Sequence, residues 1–421
     1  MCIEHCALTK GVINLDIKYI DGGVTAPNGF LASGVHCGLK QGSLKKDLAL
    51  IYSEVPAAAA GMYTKNKVKG APIYVTKEHL SNKRAQAIII NSGNANTCNG
   101  DDGLIKAKKM TSLQANKLNL KAEDVLVAST GVIGVPLNID AIKDGIPMLT
   151  EKLSKEGSND ASLAIMTTDT FQKQLAVEFY IGDKKITMGS MAKGSGMIEP
   201  NMGTMLSFIT TDLSIAPELL HEALQSSVGV TYNRVSVDGD TSTNDMVLIL
   251  ANGLAENPTI TEKDESYNTF LNALTELNTI MAKNIAKDGE GATKLLECQI
   301  IGAKNEKDAV VLGKSVINSS LVKTAMFGSD ANWGRILCAL GYANIDFDPE
   351  KVDVAFESKA GSIKVCESGS SLPFDEDIAK KVLSENEIVI KVNLSLGDYS
   401  AYVWGCDLSY EYVKINGDYR S

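Results

Sequence analysis

Histidine is scarce in this chain: four in 421 residues, at His5, His36, His79 and His221. None lies in a Ser-His-Asp-like setting, and His79 and His221 fall in ordinary helix-like stretches, so nothing points to a histidine-based triad. Cysteine is sparse as well, at eight residues, which excludes a disulfide scaffold. The one tight group, Cys2, His5 and Cys6, lacks the second ligand pair of a structural zinc site and reads as a reduced N-terminal segment. There is no HExxH, no complete GxGxxG and no GxxxxGK[ST], so the usual zinc-protease and nucleotide-loop signatures are missing. No block of Lys or Arg occurs, and 41 basic against 51 acidic residues give a net charge of −10. That balance argues against nucleic acid or an anionic membrane as partner. The longest apolar run, VLVASTGVIGVPLNI from Val125, is too short and too broken by Thr, Gly and Pro to span a bilayer. The segment MCIEHCALTK carries charges where a signal peptide needs an apolar stretch. The expectation is a soluble, reducing, cytoplasmic location.

What is present is a globular balance, 44% hydrophobic and 22% charged. At about 150 residues per domain the length suggests two to three domains. Apolar residues recur at helical spacing from Leu104, and again at Phe270, Leu274, Leu277 and Met281. Pro217 opens a further helix at a position where a missing N–H costs nothing. Short apolar runs starting at Gln86, Asp124, Met246 and Ile388 read as buried strands. Strands and helices mixed without strict alternation predict a layered α/β (α+β) fold.

The loops are unusual. INSGNANTCNG from Ile90, STGVIG from Ser129, MAKGSGMIEPNMGTML from Met191 and VDGDTSTND from Val237 are rich in Gly, Asn, Ser and Thr. Turn chemistry accounts for each one singly. Four together also fit loops that bring backbone N–H groups close to a ligand. Ser190 and Lys193 match an S-x-x-K pattern, but so do Ser43 and Lys46. The partner signatures S-D-N and K-T-G are only approximated, in the wrong order, by Ser329-Asp330-Ala331 and Lys323-Thr324-Ala325.

Gly203-Thr204 stands between a glycine-rich loop and the strand-like run MLSFITT. One reading is a plain loop-to-strand junction. The other is chemical. If the threonine hydroxyl attacks the preceding carbonyl, the peptide shifts to an ester that water releases. The new α-amine, with a pKa of about 7.7–8 against about 10.4 for lysine, can then act as base for its own hydroxyl. Such a scheme needs no histidine. Glycine before the threonine tolerates a strained backbone.

Segments spread over nearly the whole chain resemble the ornithine acetyltransferases, the glutamate N-acetyltransferases of arginine biosynthesis. They include VTAPNGFLASGV from Val24, NSGNANTCNG, ASTGVIG, IMTTDT from Ile165, MAKGSGMIEPNMGTML, VDGDTSTND, DGEGATK from Asp288, NWGRI from Asn332 and the final YVKINGDYRS. The resemblance implies an α–β–β–α sandwich related to the N-terminal-nucleophile aminopeptidases, and a self-cleaving threonine transferase. It implies transfer of acetyl from N-acetylornithine to glutamate without metal or organic cofactor, and in some members acetyl-CoA as a further donor. Thr204 would be the nucleophile and Gly203–Thr204 the scissile bond, giving an alpha chain of residues 1–203 and a beta chain of 204–421. Residues 204–300 would complete the sandwich and 300–421 form a smaller C-terminal domain; the chains would assemble as α2β2. The Thr130 hydroxyl and Gly131 N–H would form the oxyanion hole. Thr167, Lys193, Thr204, Glu290, Asn416 and Ser421 match substrate-binding positions, with Thr168 an alternative to Thr167.

Charge assigns roles within that resemblance. Lys193 would pair with a substrate carboxylate or hold the acetyl carbonyl. Glu290 would accept the ornithine side-chain ammonium; taken alone it reads as a solvated carboxylate at a helix end. The sequence departs from the family in having Gly203 where alanine is usual, Ala331 where proline is usual, and a terminal serine for threonine. Two rivals share these residues: an amidase or aminopeptidase on the same scaffold, and a binding protein that has lost cleavage.

Overall fold

The computed structural model describes residues 17–40, 42–199 and 205–418. Cys2, His5 and Cys6 lie outside them. One sheet is built from β1 (Lys18–Ile20), β2 (Phe30–Val35), β3 (Leu48–Tyr63), β4 (Arg84–Asn94), β5 (Val125–Val132), β6 (Lys173–Ile181), β7 (Lys184–Lys193), β8 (Leu206–Thr211) and β9 (Met246–Ala251). Its order is β1-β6-β7-β8-β9-β3-β4-β5, with β2 beside β3. The accompanying helices are α1 (Ala71–His79), α2 (Gly100–Leu118), α3 (Ile139–Glu151), α4 (Ser158–Ile165), α5 (Pro217–Val230) and α6 (Glu265–Lys287).

The sheet folds back on itself through β3. The first part of this strand pairs with β2 and β4, and its last residues, Ala58 to Tyr63, pair with β9. Between Tyr52 and Ala57 the register with β4 shifts, around Pro56. A proline supplies no ladder N–H and is accommodated at such an irregularity.

Side-chain alternation then sorts the residues into layers. In β4, Ile88 and Ile90 face a central core that also holds Leu126, Leu206, Phe208, Met246 and Leu248 from the two halves of the sheet. Their neighbours Ala87 and Ile89 face outward, against Val75 of α1, Met110 of α2 and Ile142 of α3. On the other side Ile209, Val247 and Ile249 face Leu220 and Leu224 of α5 and Phe270, Leu274, Leu277 and Met281 of α6. The order helix, sheet, sheet, helix is the expected α–β–β–α sandwich. Full burial of each such side chain is worth about 1.5–3 kcal/mol. The periodic apolar residues of α6 are all fully buried, and Asp264 caps the helix by accepting from the Tyr267 N–H.

A second sheet follows, with β10 (Leu295–Ala303), β11 (Asp353–Ser358), β12 (Gly361–Glu367), β13 (Ser370–Ser371), β14 (Glu387–Asn393) and β15 (Tyr399–Cys406) in the order β13-β12-β11-β14-β10-β15. Helices α7 (Glu306–Asn318), α8 (Ser320–Phe327), α9 (Trp333–Gly341) and α10 (Glu376–Leu383) supply side chains to its core, which runs from Leu296 to Val403. Trp404 and Cys406, at the end of β15, belong instead to the α5–α6 side of the sandwich. Helix α11 (Tyr410–Gly417) comes after them. No helix among the described residues is long and apolar enough to cross a membrane.

Candidate active site

A cavity of about 410 Å³ gathers residues from distant parts of the chain. Of those predicted from sequence, Thr130, Gly131, Thr167, Lys193, Glu290 and Asn416 all line it, and so does Thr168. Met205 and Leu206, which directly follow Thr204 in the chain, form part of the same wall. Gly203, Thr204 and Ser421 lie outside the described residues.

Thr130 and Gly131 sit near the end of β5, the last strand of its sheet. Gly131 has φ +131°, and a Cβ there would meet the Gly93 carbonyl carbon at 2.3 Å and the Asn94 nitrogen at 2.5 Å. Those neighbours are backbone and cannot swing aside. Gly131→Ala is therefore expected to shift this strand end. Loss of one positioned donor at such a site costs about 10²- to 10³-fold in kcat. Steady-state kinetics would check the effect, and a variant with full activity would refute the role given to this strand end.

Lys193 closes β7, and its position is set by a buried charge network. Its Nζ lies 3.9 Å from Asp169. Lys173 reaches Asp169 at 2.8 Å and Asp288 at 2.5 Å, and the side chains of Lys173 and Asp169 are wholly buried. Asp169 also accepts from the Gly194 N–H at 2.7 Å and the Thr167 N–H at 3.0 Å. Asp288 accepts from the Thr170 N–H and hydroxyl. The Asp288 carbonyl takes the Ser195 hydroxyl at 2.6 Å, and the Ser195 carbonyl takes the Glu290 N–H at 3.0 Å. Three stretches, supplying Thr167, Lys193 and Glu290, are thus locked together.

Burial alone would raise the Asp169 pKa. Lys193 and Lys173, with the Lys173 and Gly194 hydrogen bonds, outweigh it and hold the carboxyl well below the usual range. A group whose pKa is lower folded than unfolded stabilises fully above its unfolded value, about 3.9. That stabilisation is lost as pH falls through the folded value. Urea unfolding should therefore show wild-type stability falling below about pH 4 more steeply than that of Asp169→Asn. Parallel curves would refute this assignment.

Glu290 is buried, only 8% exposed, so it is no solvated helix-end carboxylate. Asn416, on α11, donates to its Oε2 at 2.8 Å. A Cβ on Gly196 would stand 2.3 Å from the Glu290 carboxylate, so a side chain there would push that carboxylate aside. Sequence reasoning singled out the VDGDTSTND loop without assigning its residues; three of them, Ser242, Asn244 and Asp245, line the cavity. Asn244 donates to the Ser129 carbonyl at 3.0 Å, bracing the end of β5. Asp245 is buried, and its Oδ2 has no hydrogen-bond partner among the described residues. Burial pushes its pKa well up, while the Ser242 hydroxyl and Lys193 pull the other way.

A layered sandwich whose cavity carries both an ammonium and a carboxylate defines a small-molecule enzyme that can seat an amino acid. The ArgJ family model matches residues 31–421. A protein of Caldanaerobacter subterraneus subsp. tengcongensis named arginine biosynthesis bifunctional protein ArgJ is 53% identical over 405 residues, 96% of this chain and all of its own. Its counterpart ArgJ 1 in Clostridium acetobutylicum is 54% identical over 392 residues, 93% of this chain and 96% of its own. Among solved structures, the ornithine acetyltransferase of Mycobacterium tuberculosis complexed with ornithine is 39% identical, covering 44% of this chain and 98% of its own, with a TM-score of 0.42. The chain belongs to the ArgJ family.

Proposed function

We propose that the chain is a glutamate N-acetyltransferase that takes acetyl from N-acetylornithine, passes it through Thr204 to glutamate, and also accepts acetyl-CoA. The observation that carries this reading is the convergence on one cavity of Thr130, Gly131, Thr167, Lys193, Glu290 and Asn416 with Met205, the residue that follows Thr204. The relatives bear names that place them in arginine biosynthesis and call them bifunctional.

The reaction is double displacement. The Thr204 hydroxyl gives its proton to its own α-amine and attacks the acetyl carbonyl. Negative charge develops on the carbonyl oxygen, where the Thr130 hydroxyl and Gly131 N–H donate; β5 is an edge strand, which leaves N–H groups without a ladder partner. The C–N bond breaks, ornithine leaves with the proton, and acetyl remains as an ester. The glutamate amine then attacks that ester and regenerates the hydroxyl. Lys193 receives a substrate carboxylate and Glu290, oriented by Asn416, receives the ornithine ammonium. Val132, Ile133, Met197 and Leu206 in the wall limit water, which would hydrolyse the ester.

The reading includes self-cleavage into residues 1–203 and 204–421, an α2β2 assembly, a C-terminal unit from about residue 300, and a cytoplasmic location. Denaturing intact-mass spectrometry followed by an exchange assay tests it. Two species, one beginning at Thr204 and together one water heavier than the chain, with acetyl moving from N-acetylornithine to glutamate, are expected. Free acetate released without dependence on glutamate would make it an amidase. An unbroken, inactive chain would leave a binding protein.

A further inference from the structure

A second cavity, of about 540 Å³, lies on the far side of one loop from the first and is lined by Tyr63, Thr64, Lys65, Lys69, Lys77 and His221 among others. Its charge is out of keeping with a chain of net charge −10. Three lysines line it, and none of them forms an ion pair among the described residues. Acidic side chains on the adjoining helices are already engaged elsewhere. Glu78 pairs with Lys108 at 2.9 Å, Glu218 with Lys83 at 2.9 Å, and Glu222 with Lys263 at 2.6 Å. Two of them are instead fixed by neutral groups: Lys69 donates to the Asn66 carbonyl at 2.5 Å, and Lys77 stands 4.9 Å over the Tyr63 ring. Uncompensated ammonium groups converging on one groove make an anion site, and lysine is a point-charge donor to phosphate.

The groove is coupled to the candidate active site by hydrogen bonds. The Thr64 N–H donates to the Asp245 carbonyl at 3.0 Å and its hydroxyl to the Ser242 carbonyl at 2.9 Å. The Asn66 amide donates to the Thr241 carbonyl at 2.8 Å. Thr64 lines the groove while Ser242 and Asp245 line the first cavity, so one loop, residues 241–245, is the partition between them. A ligand that straddles this partition needs an anionic head and a slender arm ending in an acyl group.

We propose that this groove seats the phosphate-bearing end of an acyl-coenzyme A donor, whose acyl arm crosses the 241–245 loop to the candidate active site. The inference rests on the acetyltransferase reading above. The thioester C–S bond breaks as the C–O bond to the Thr204 hydroxyl forms, and the hydroxyl proton ends on the departing thiol. N-acetylornithine, without phosphates, has no use for the groove.

The test replaces the three lysines together, Lys65→Gln, Lys69→Gln and Lys77→Gln, and compares three donors with glutamate as acceptor: acetyl-CoA, acetyl-pantetheine, which has the arm without the phosphates, and N-acetylornithine. The KM for acetyl-CoA should rise roughly 10- to 100-fold, three partly exposed charge contacts at up to about 1 kcal/mol each. Acetyl-pantetheine and N-acetylornithine kinetics should not change. An unchanged KM for acetyl-CoA, or an equal loss with all three donors, overturns the proposal. A wild-type enzyme that exchanges acetyl from N-acetylornithine but neither uses nor binds acetyl-CoA overturns it too, leaving the transacetylase reading in place. A wild type with neither activity overturns both.

Discussion

Thr204→Ala is expected to give one unbroken chain with no measurable acetyl transfer. The methyl side chain has no oxygen to attack the Gly203 carbonyl, so no new amine is released. Without that amine and hydroxyl the first half-reaction has no nucleophile, so no acetyl ester forms for glutamate to attack. Removal of a nucleophile that works as a unit with its base costs on the order of 10⁴- to 10⁶-fold in kcat. Thr204→Ser keeps a hydroxyl and should retain partial processing and activity. Gel electrophoresis of both variants after prolonged incubation decides the matter. A break between residues 203 and 204 in the alanine variant would remove Thr204 from the mechanism.

The second large effect is expected at Lys173, whose side chain is wholly buried. Lys173→Met keeps the volume of the side chain but leaves the buried Asp169 and Asp288 facing each other without the ammonium between them. Breaking a buried pair by removing one partner typically costs about 3–5 kcal/mol, because the remaining charge is stranded. The loss should appear in the midpoint of urea unfolding at pH 7. Activity of the folded fraction should fall as well, since Asp169 is also what Lys193 and the Gly194 N–H lean on. Adding Asp288→Asn to Lys173→Met should recover part of the stability by removing one stranded charge. A single variant within about 0.5 kcal/mol of wild type would show that the network is not what holds these three stretches.

Much of the fold was legible because its signals are local. The spacing of Phe270, Leu274, Leu277 and Met281 marks the buried face of α6, Pro217 marks the first residue of α5, and the apolar runs from Gln86 and Met246 lie in β4 and β9. Strand β3 was not legible. Ala57 to Ala60 carry a helix preference, and Pro56 sits inside the strand; pairing with β4 and β9 overrides both. In the candidate site, glycine- and hydroxyl-rich loops pointed to segments that line the cavity. The charge network did not show, because Asp169 and Asp288 are far apart in sequence and only folding makes them neighbours across Lys173. Asp245 was hidden for a related reason: an aspartate in a polar loop gives no sign that the fold will bury it.

Strands β7 and β8 are hydrogen-bonded neighbours from Met188–Thr211 to Lys193–Leu206, and the segment joining them contains the Gly203–Thr204 bond. Cleavage there would cut the covalent thread between two central strands without touching their ladder. An intact precursor would fold as one molecule, with the two strands joined by a short tether. A cut enzyme would have no tether, so once unfolded its halves would have to find each other by diffusion, at a rate that falls with dilution. Processing would thus act as a ratchet: folding precedes the cut, and after it the enzyme persists by the slowness of its unfolding rather than by its ability to fold again.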